Sequence, residues 1–142
     1  MRRVLALDVG SVRIGVALSD PLGIVAQPFE VIDRRETEPF ARILALIAEH
    51  GVERVIVGRP VRLSGEAGQA VAAIEAFVRE LTPKVSVPIE LWDERLSTAQ
   101  AERAMIEGGA RRDKRRQNID KVAAAIILQS YLDATAPVAE EE

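Results

Sequence analysis

The chain has 142 residues, 48% of them hydrophobic and 29% charged, with a formal net charge of −3. This length and balance suit one soluble globular domain with a real core. No apolar run approaches a membrane span, no cysteine is present for disulfides or thiolate metal sites, and a single histidine, His50, argues against histidine-bound zinc within one chain.

Other bulk features narrow the class further. The lack of cysteine suits a reducing cytosol. Met1-Arg2-Arg3-Val4 leads directly into a strand pattern, so no signal peptide is expected. Any metal should be held by oxygen, which points to Mg2+ or Mn2+. Charge is unevenly spread. Arg111-Arg112-Asp113-Lys114-Arg115-Arg116 holds five basic residues in six, and Glu140-Glu141-Glu142 ends the chain in acid.

Residues 4–9 and 13–18 read as two apolar strands joined by a tight turn at Gly10-Ser11, where glycine can take positive φ. Asp20-Pro21-Leu22-Gly23 has the residues of a type I turn. A third strand is expected over 24–32, at an edge or bulged because of Pro28. Phe40, Ile43, Leu44 and Ile47 then recur at helical spacing, predicting a helix over 38–50 that Thr37 or Glu36 starts and Gly51 ends. Residues 54–57 form a short β-branched strand. A loop follows from Gly58 to Gly65, in which Ser64 can cap a helix over 66–81. Thr82-Pro83 stops that helix, and 88–92 reads as a fifth strand. Ser97 with Gln100 fits a capping box for a helix to about residue 107. Residues 108–116 read as a flexible basic loop, 117–134 as the last helix and 137–142 as a disordered tail. A meander followed by strands alternating with helices predicts an α/β fold: a five-stranded mixed sheet with helices on both faces, forming one domain over 1–136.

Four carboxylates sit oddly in this plan. Asp8 ends the first strand, Asp93 and Glu94 follow the fifth, and Asp120 lies in the first turn of an alanine-rich helix. An ionised carboxylate beside an apolar core is costly unless paired, and a divalent cation is one such partner. Carboxylates from these separate places could converge on one edge, where a cation pair would stabilise a phosphodiester displacement with no need for histidine. Each also has a plain structural role: Asp8 as an acceptor for strand-end N–H groups, Asp120 as an acid serving the helix dipole, and Asp93-Glu94-Arg95 as a surface ion-pair turn. The basic run could be a solvated face, but it immediately precedes Asp120 and is placed to hold a polyanion. Arg13 and Arg59 are further candidates for phosphate contact. Trp92 and Tyr131 read as core. Aromatics make up only 4% of the chain, so no base-stacking platform is expected.

The residues resemble a known family. Asp8-Val9-Gly10-Ser11-Val12-Arg13-Ile14-Gly15-Val16-Ala17-Leu18-Ser19-Asp20 is similar to the opening motif of the YqgF/RuvX-type Holliday junction resolvases, also described as nucleases that mature the 5′ end of precursor small-subunit (16S) ribosomal RNA. Asp93-Glu94-Arg95-Leu96-Ser97-Thr98 resembles its second motif, and the run from Ile119-Asp120-Lys121 to Tyr131-Leu132 its third. Gly58-Arg59-Pro60 with Gly65 resembles its glycine-proline loop, although Arg59 and Arg62 replace the residues usual there. The resemblance implies a ribonuclease-H-like fold, a bacterial cytoplasmic protein and metal-dependent phosphodiester hydrolysis. It assigns Asp8, Glu94 and Asp120 as catalytic metal ligands, with Asp93 either a further ligand or a group behind them. Substrate contacts then fall to Arg13, Arg59, Arg111, Arg112, Lys114, Arg115 and Arg116.

Three functions follow from these residues. The first is a Mg2+- or Mn2+-dependent endonuclease acting on pre-rRNA or branched DNA, as a monomer or homodimer. The second is a non-catalytic nucleic-acid or ribosome-associated module on the same fold. The third is a relative of the actin-like kinases, disfavoured because those need two lobes and this chain supplies one.

Overall fold

The computed structural model describes residues 3–59, 66–93 and 112–135. Strands β1 (Arg3–Val9), β2 (Arg13–Ser19) and β3 (Ala26–Asp33) form an antiparallel meander. Helix α1 (Pro39–His50) leads to β4 (Val52–Arg59), and α2 (Glu66–Leu81) leads to β5 (Ile89–Asp93). β4 pairs parallel to β1 and β5 parallel to β4, so the sheet runs β3-β2-β1-β4-β5. Helix α3 (Arg112–Thr135) closes the described chain. This is the five-stranded mixed sheet expected from the sequence.

The central strands are apolar because both their faces are covered. Leu5, Ala6, Leu7, Val55, Ile56 and Val57 are fully buried. One face of the sheet, with Leu5, Leu7, Ile14, Val16, Val55 and Val57, packs on α1 and α2 through Ile43, Leu46, Ile74, Phe77 and Leu81. The other, with Val4, Ala6, Ala17 and Ile56, packs on α3 through Ala123, Ala124, Ala125, Ile127, Leu128, Tyr131 and Leu132. Trp92 meets Tyr131 edge-to-face at 5.2 Å and donates from Nε1 to Ser130 Oγ at 3.1 Å, so both rings belong to this second layer as expected.

Local departures from the sequence reading have physical causes. Pro28 lies on the edge strand beside a register shift, where Val16 faces Glu30 and Ala17 faces Pro28, so the edge and the bulge are both real. The Thr37 or Glu36 start for α1 is corrected to Glu38, whose carboxylate accepts from Ala41 N at 2.9 Å, because Pro39 occupies the first helical turn and fixes the cap before it. Gly51 ends α1 in the left-handed region at φ 62°. Gly10 could take positive φ but does not use that freedom; its value is space, since a Cβ would sit 2.8 Å from the Arg13 carbonyl. The last helix begins at Arg112 and not near residue 117, so residues 112–116 of the expected basic loop are helical. Arg, Lys and Gln are strong helix formers, which a reading based on apolar periodicity undervalues. Pro60 to Gly65, the helix expected over 97–107 and the tail 137–142 lie outside the described residues.

Gly15 leaves no room for a side chain. A Cβ there would land on the carbonyl of Asp120 in α3. Gly15→Ala must therefore push α3 off the sheet and is expected to cost at least about 1–3 kcal/mol. The check is a lowered urea midpoint accompanied by a change in the fluorescence of Trp92, the only tryptophan.

Candidate active site

The pleat decides which residues can meet. Val4 and Ala6 pack on α3, so period-two alternation carries Asp8 to the same face. On β2, Ala17 packs on α3, which puts Gly15 and Arg13 on that face as well. Asp8 is the cross-strand partner of Gly15, a relation that sets Cα atoms about 4.5–5.5 Å apart. The α3 backbone at Asp120 rests on Gly15. Two carboxylates 112 positions apart in the chain thus come to one patch at the end of β1, both half-buried. The buried alanines at 123 and 124, one turn beyond Asp120, let the helix come this close.

Asp120 is held by a charged partner. Arg13 Nε donates to Asp120 Oδ2 at 2.9 Å, with side-chain exposures of 25% and 22%. Arg13 also faces Asp33 across the β2–β3 ladder. Asp33 is occupied elsewhere, because Arg35 donates from Nε and Nη2 to its two oxygens at 3.0 and 2.9 Å and from its backbone N–H at 3.0 Å. The Arg35 side-chain bond, then the Arg35 backbone N–H, hold the Asp33 carboxyl down to about 2. Asp33 thus takes its hydrogen bonds from Arg35, and the side-chain hydrogen bond of Arg13 goes to Asp120.

The turn beside Asp8 is also braced. Gly10 N donates to Arg13 O at 2.9 Å, Arg34 N to Val12 O at 2.8 Å, and Arg34 Nη1 to Gly10 O at 2.7 Å. The Arg34 guanidinium stands 5.4 Å from the centre of the Phe77 ring. Gly15 and Arg34 were both overlooked in the sequence. A glycine inside a strand of β-branched neighbours is a signal for close backbone approach, so Gly15 could have been found. Nothing in the sequence marks Arg34.

Other candidates fall elsewhere. Arg59 continues the Val55–Val57 face, away from Asp8, and lies 3.6 Å from Glu75 of α2. Trp92 packs on the α3 side, so alternation assigns Asp93 to the opposite face. Arg112, Lys114, Arg115 and Arg116 lie in α3 four to eight residues before Asp120, roughly 6–12 Å along the axis. Glu94 and Arg111 lie outside the described residues. Among the described residues, no three acids or histidines gather in a group fit to hold a metal. His50 lies at the far end of β1, with Nδ1 3.3 Å from Arg3 Nη1. No helix among the described residues is long and apolar enough to cross a membrane.

Residues 2–134 match the model of the RuvX family, described as Holliday junction resolvase. The chain belongs to the RuvX family. Its RuvX relatives are similar over nearly their full length. A protein of Desulforamulus reducens named "Putative pre-16S rRNA nuclease" is 48% identical over 136 residues, covering 94% of this chain and 98% of that one. Proteins of the same name from Symbiobacterium thermophilum and Geobacillus kaustophilus are 48% and 47% identical over 135 residues, covering 94% and 93% of this chain and 94% and 98% of theirs. T. thermophilus RuvC, solved with a Holliday junction substrate, superposes with a TM-score of 0.60 at 20% identity, over 94% of this chain and 95% of that one. That likeness shows the fold, which is ribonuclease-H-like. RuvX membership makes the chain a nuclease, a hydrolase acting on ester bonds.

The Arg13–Asp120 bond is testable on its own. A double-mutant cycle with Arg13→Ala and Asp120→Ala in urea is expected to give a coupling of about 0.5–1 kcal/mol, the range for a pair this accessible to water.

Proposed function

We propose that this RuvX protein is a metal-dependent endonuclease of the cytoplasm that processes the 5′ end of pre-16S rRNA. The observation that carries the reading is the meeting of Asp8 and Asp120 across Gly15. Two carboxylates drawn onto one patch of a small-residue interface, one of them held by Arg13, offer the hard oxygen donors that a divalent cation takes.

The donor set fits Mg2+ or Mn2+: it is all oxygen, with no cysteine in the chain and the one histidine at the far end of β1. Asp8 and Asp120 would hold the cation with Glu94 as the third ligand, and Asp93, which alternation assigns to the opposite face, would serve only as a group behind Glu94. When bound, such cations stabilise the charge that develops during phosphodiester displacement. The protein's own part is to fix the donors. β1 carries Asp8, α3 carries Asp120, and their packing at Gly15 sets the spacing before substrate arrives. Basic residues bring the polyanion to them. Arg13 stands beside Asp120, and Arg111, Arg112, Lys114, Arg115 and Arg116 precede it on the chain. Arg59 would have to leave Glu75 to join them. Phosphate contacts of this kind confer affinity with little base readout, and that affinity falls with salt.

The names carried by the relatives favour pre-16S rRNA. The description of the family favours a Holliday junction as the second reading. Resolving a junction takes two paired cuts and hence two copies of the chain, whereas trimming RNA takes one.

The deciding experiment compares cleavage of a precursor rRNA fragment and a four-way DNA junction, each with Mn2+ and with chelator. RNA cut only with metal supports the reading, and junction-only cutting moves it to DNA. Asp8→Asn should slow cleavage by about 100-fold or more while binding of the uncut RNA stays near wild type. Undiminished metal-dependent cutting by pure Asp8→Asn protein would overturn the assignment.

A further inference from the structure

Arg13 has one assigned task, substrate contact, and its geometry points to a second. Its Nε–H bonds Asp120 Oδ2 at 2.9 Å. Its cross-strand neighbour Asp33 already accepts three bonds from Arg35. A guanidinium carries five N–H donors, and this bond uses one. Among the described residues, the charges that face Arg13 are Asp33 on β3 and Asp120 on α3, with Asp8 one strand away.

We propose that Arg13 is a positioning residue that stands in for the cation at Asp120, holding the carboxylate in place and opposing cation binding until a substrate phosphate draws the guanidinium away. The inference rests on the nuclease reading above. With Arg13 present, the patch of Asp8, Asp120 and Arg13 has a formal charge of −1; without it the charge is −2. A divalent cation must share Asp120 with the guanidinium, which already holds Oδ2, and must also bind near a positive charge. A phosphate engaged by the Nη groups removes both obstacles. Nucleic acid and cation then assist each other's binding through this one side chain.

This role separates from a merely structural one by sign. Loss of a structural residue weakens everything the site does. Loss of a competing counter-ion strengthens cation binding and weakens substrate binding. Calorimetry with Mn2+ alone should show Arg13→Gln binding about tenfold more tightly than wild type, since a positive charge close to the cation has gone. In chelator, the same variant should bind the precursor rRNA fragment more weakly, with a salt dependence shallower by about one phosphate contact. Arg13→Lys keeps the charge and should keep Mn2+ affinity within about twofold of wild type. Arg13→Met, which retains the apolar stem, is expected to behave like Arg13→Gln and replaces it should the glutamine variant not fold. Mn2+ affinity unchanged or lowered in a folded Arg13→Gln or Arg13→Met overturns this inference alone. Wild-type protein that binds no Mn2+ and cuts nothing overturns the nuclease reading, and this inference with it.

Discussion

Everything at the candidate site depends on one missing methyl group. Gly15 lets the backbone of α3 touch β2 at Asp120, and strand pairing puts Asp8 directly across from that glycine. Any side chain at position 15 would hold the helix off the sheet and separate the two acids. The alanines that follow Asp120 extend the same logic along the helix, because a close approach at one end must be matched by small residues further on.

The two faces of the sheet divide the work. The face toward α1 and α2 is filled with branched aliphatic side chains and Phe77, and it supplies most of the large buried volume. The face toward α3 mixes Ala6, Ala17 and Ala123–Ala125 with Ile56, Ile127, Leu128 and Leu132, and its alanines supply proximity near the acids. The acids belong to the second face. A site built on a thick aliphatic layer would hold them too far from the helix that completes it. Ser19 shows similar economy at the other end: its buried hydroxyl takes the Val4 N–H at 2.8 Å, where the β1 ladder is irregular.

Much of this was legible in the sequence. The five strands, their mixed pairing, the edge position of Pro28 and the left-handed Gly51 cap follow from apolar runs and from turn residues, which act locally. Asp8 and Asp120 stood out because a carboxylate beside an apolar run is anomalous. What could not be read was their meeting, because strand register and helix docking are non-local. The start of α3 was misplaced for a related reason: a charged helical segment has no apolar stripe to betray it. The sorting of Arg59 and Asp93 to the other face also needed the pleat, since one residue along a strand reverses which layer a side chain joins. The engagement of Arg13 with Asp120, 107 positions away, rather than with its cross-strand neighbour Asp33, is a tertiary outcome that the sequence does not display.

The irregularity of β3 reaches beyond the site. An outermost strand normally presents a row of free amide and carbonyl groups that can recruit another chain. Here the ladder is offset beside Phe29, and Pro28 lacks an amide hydrogen to offer. A second molecule seeking to lengthen the sheet from this side meets a broken template. Growth into ribbons or fibrils along that edge is thereby discouraged, and any assembly of the protein on that side would have to be built from side chains.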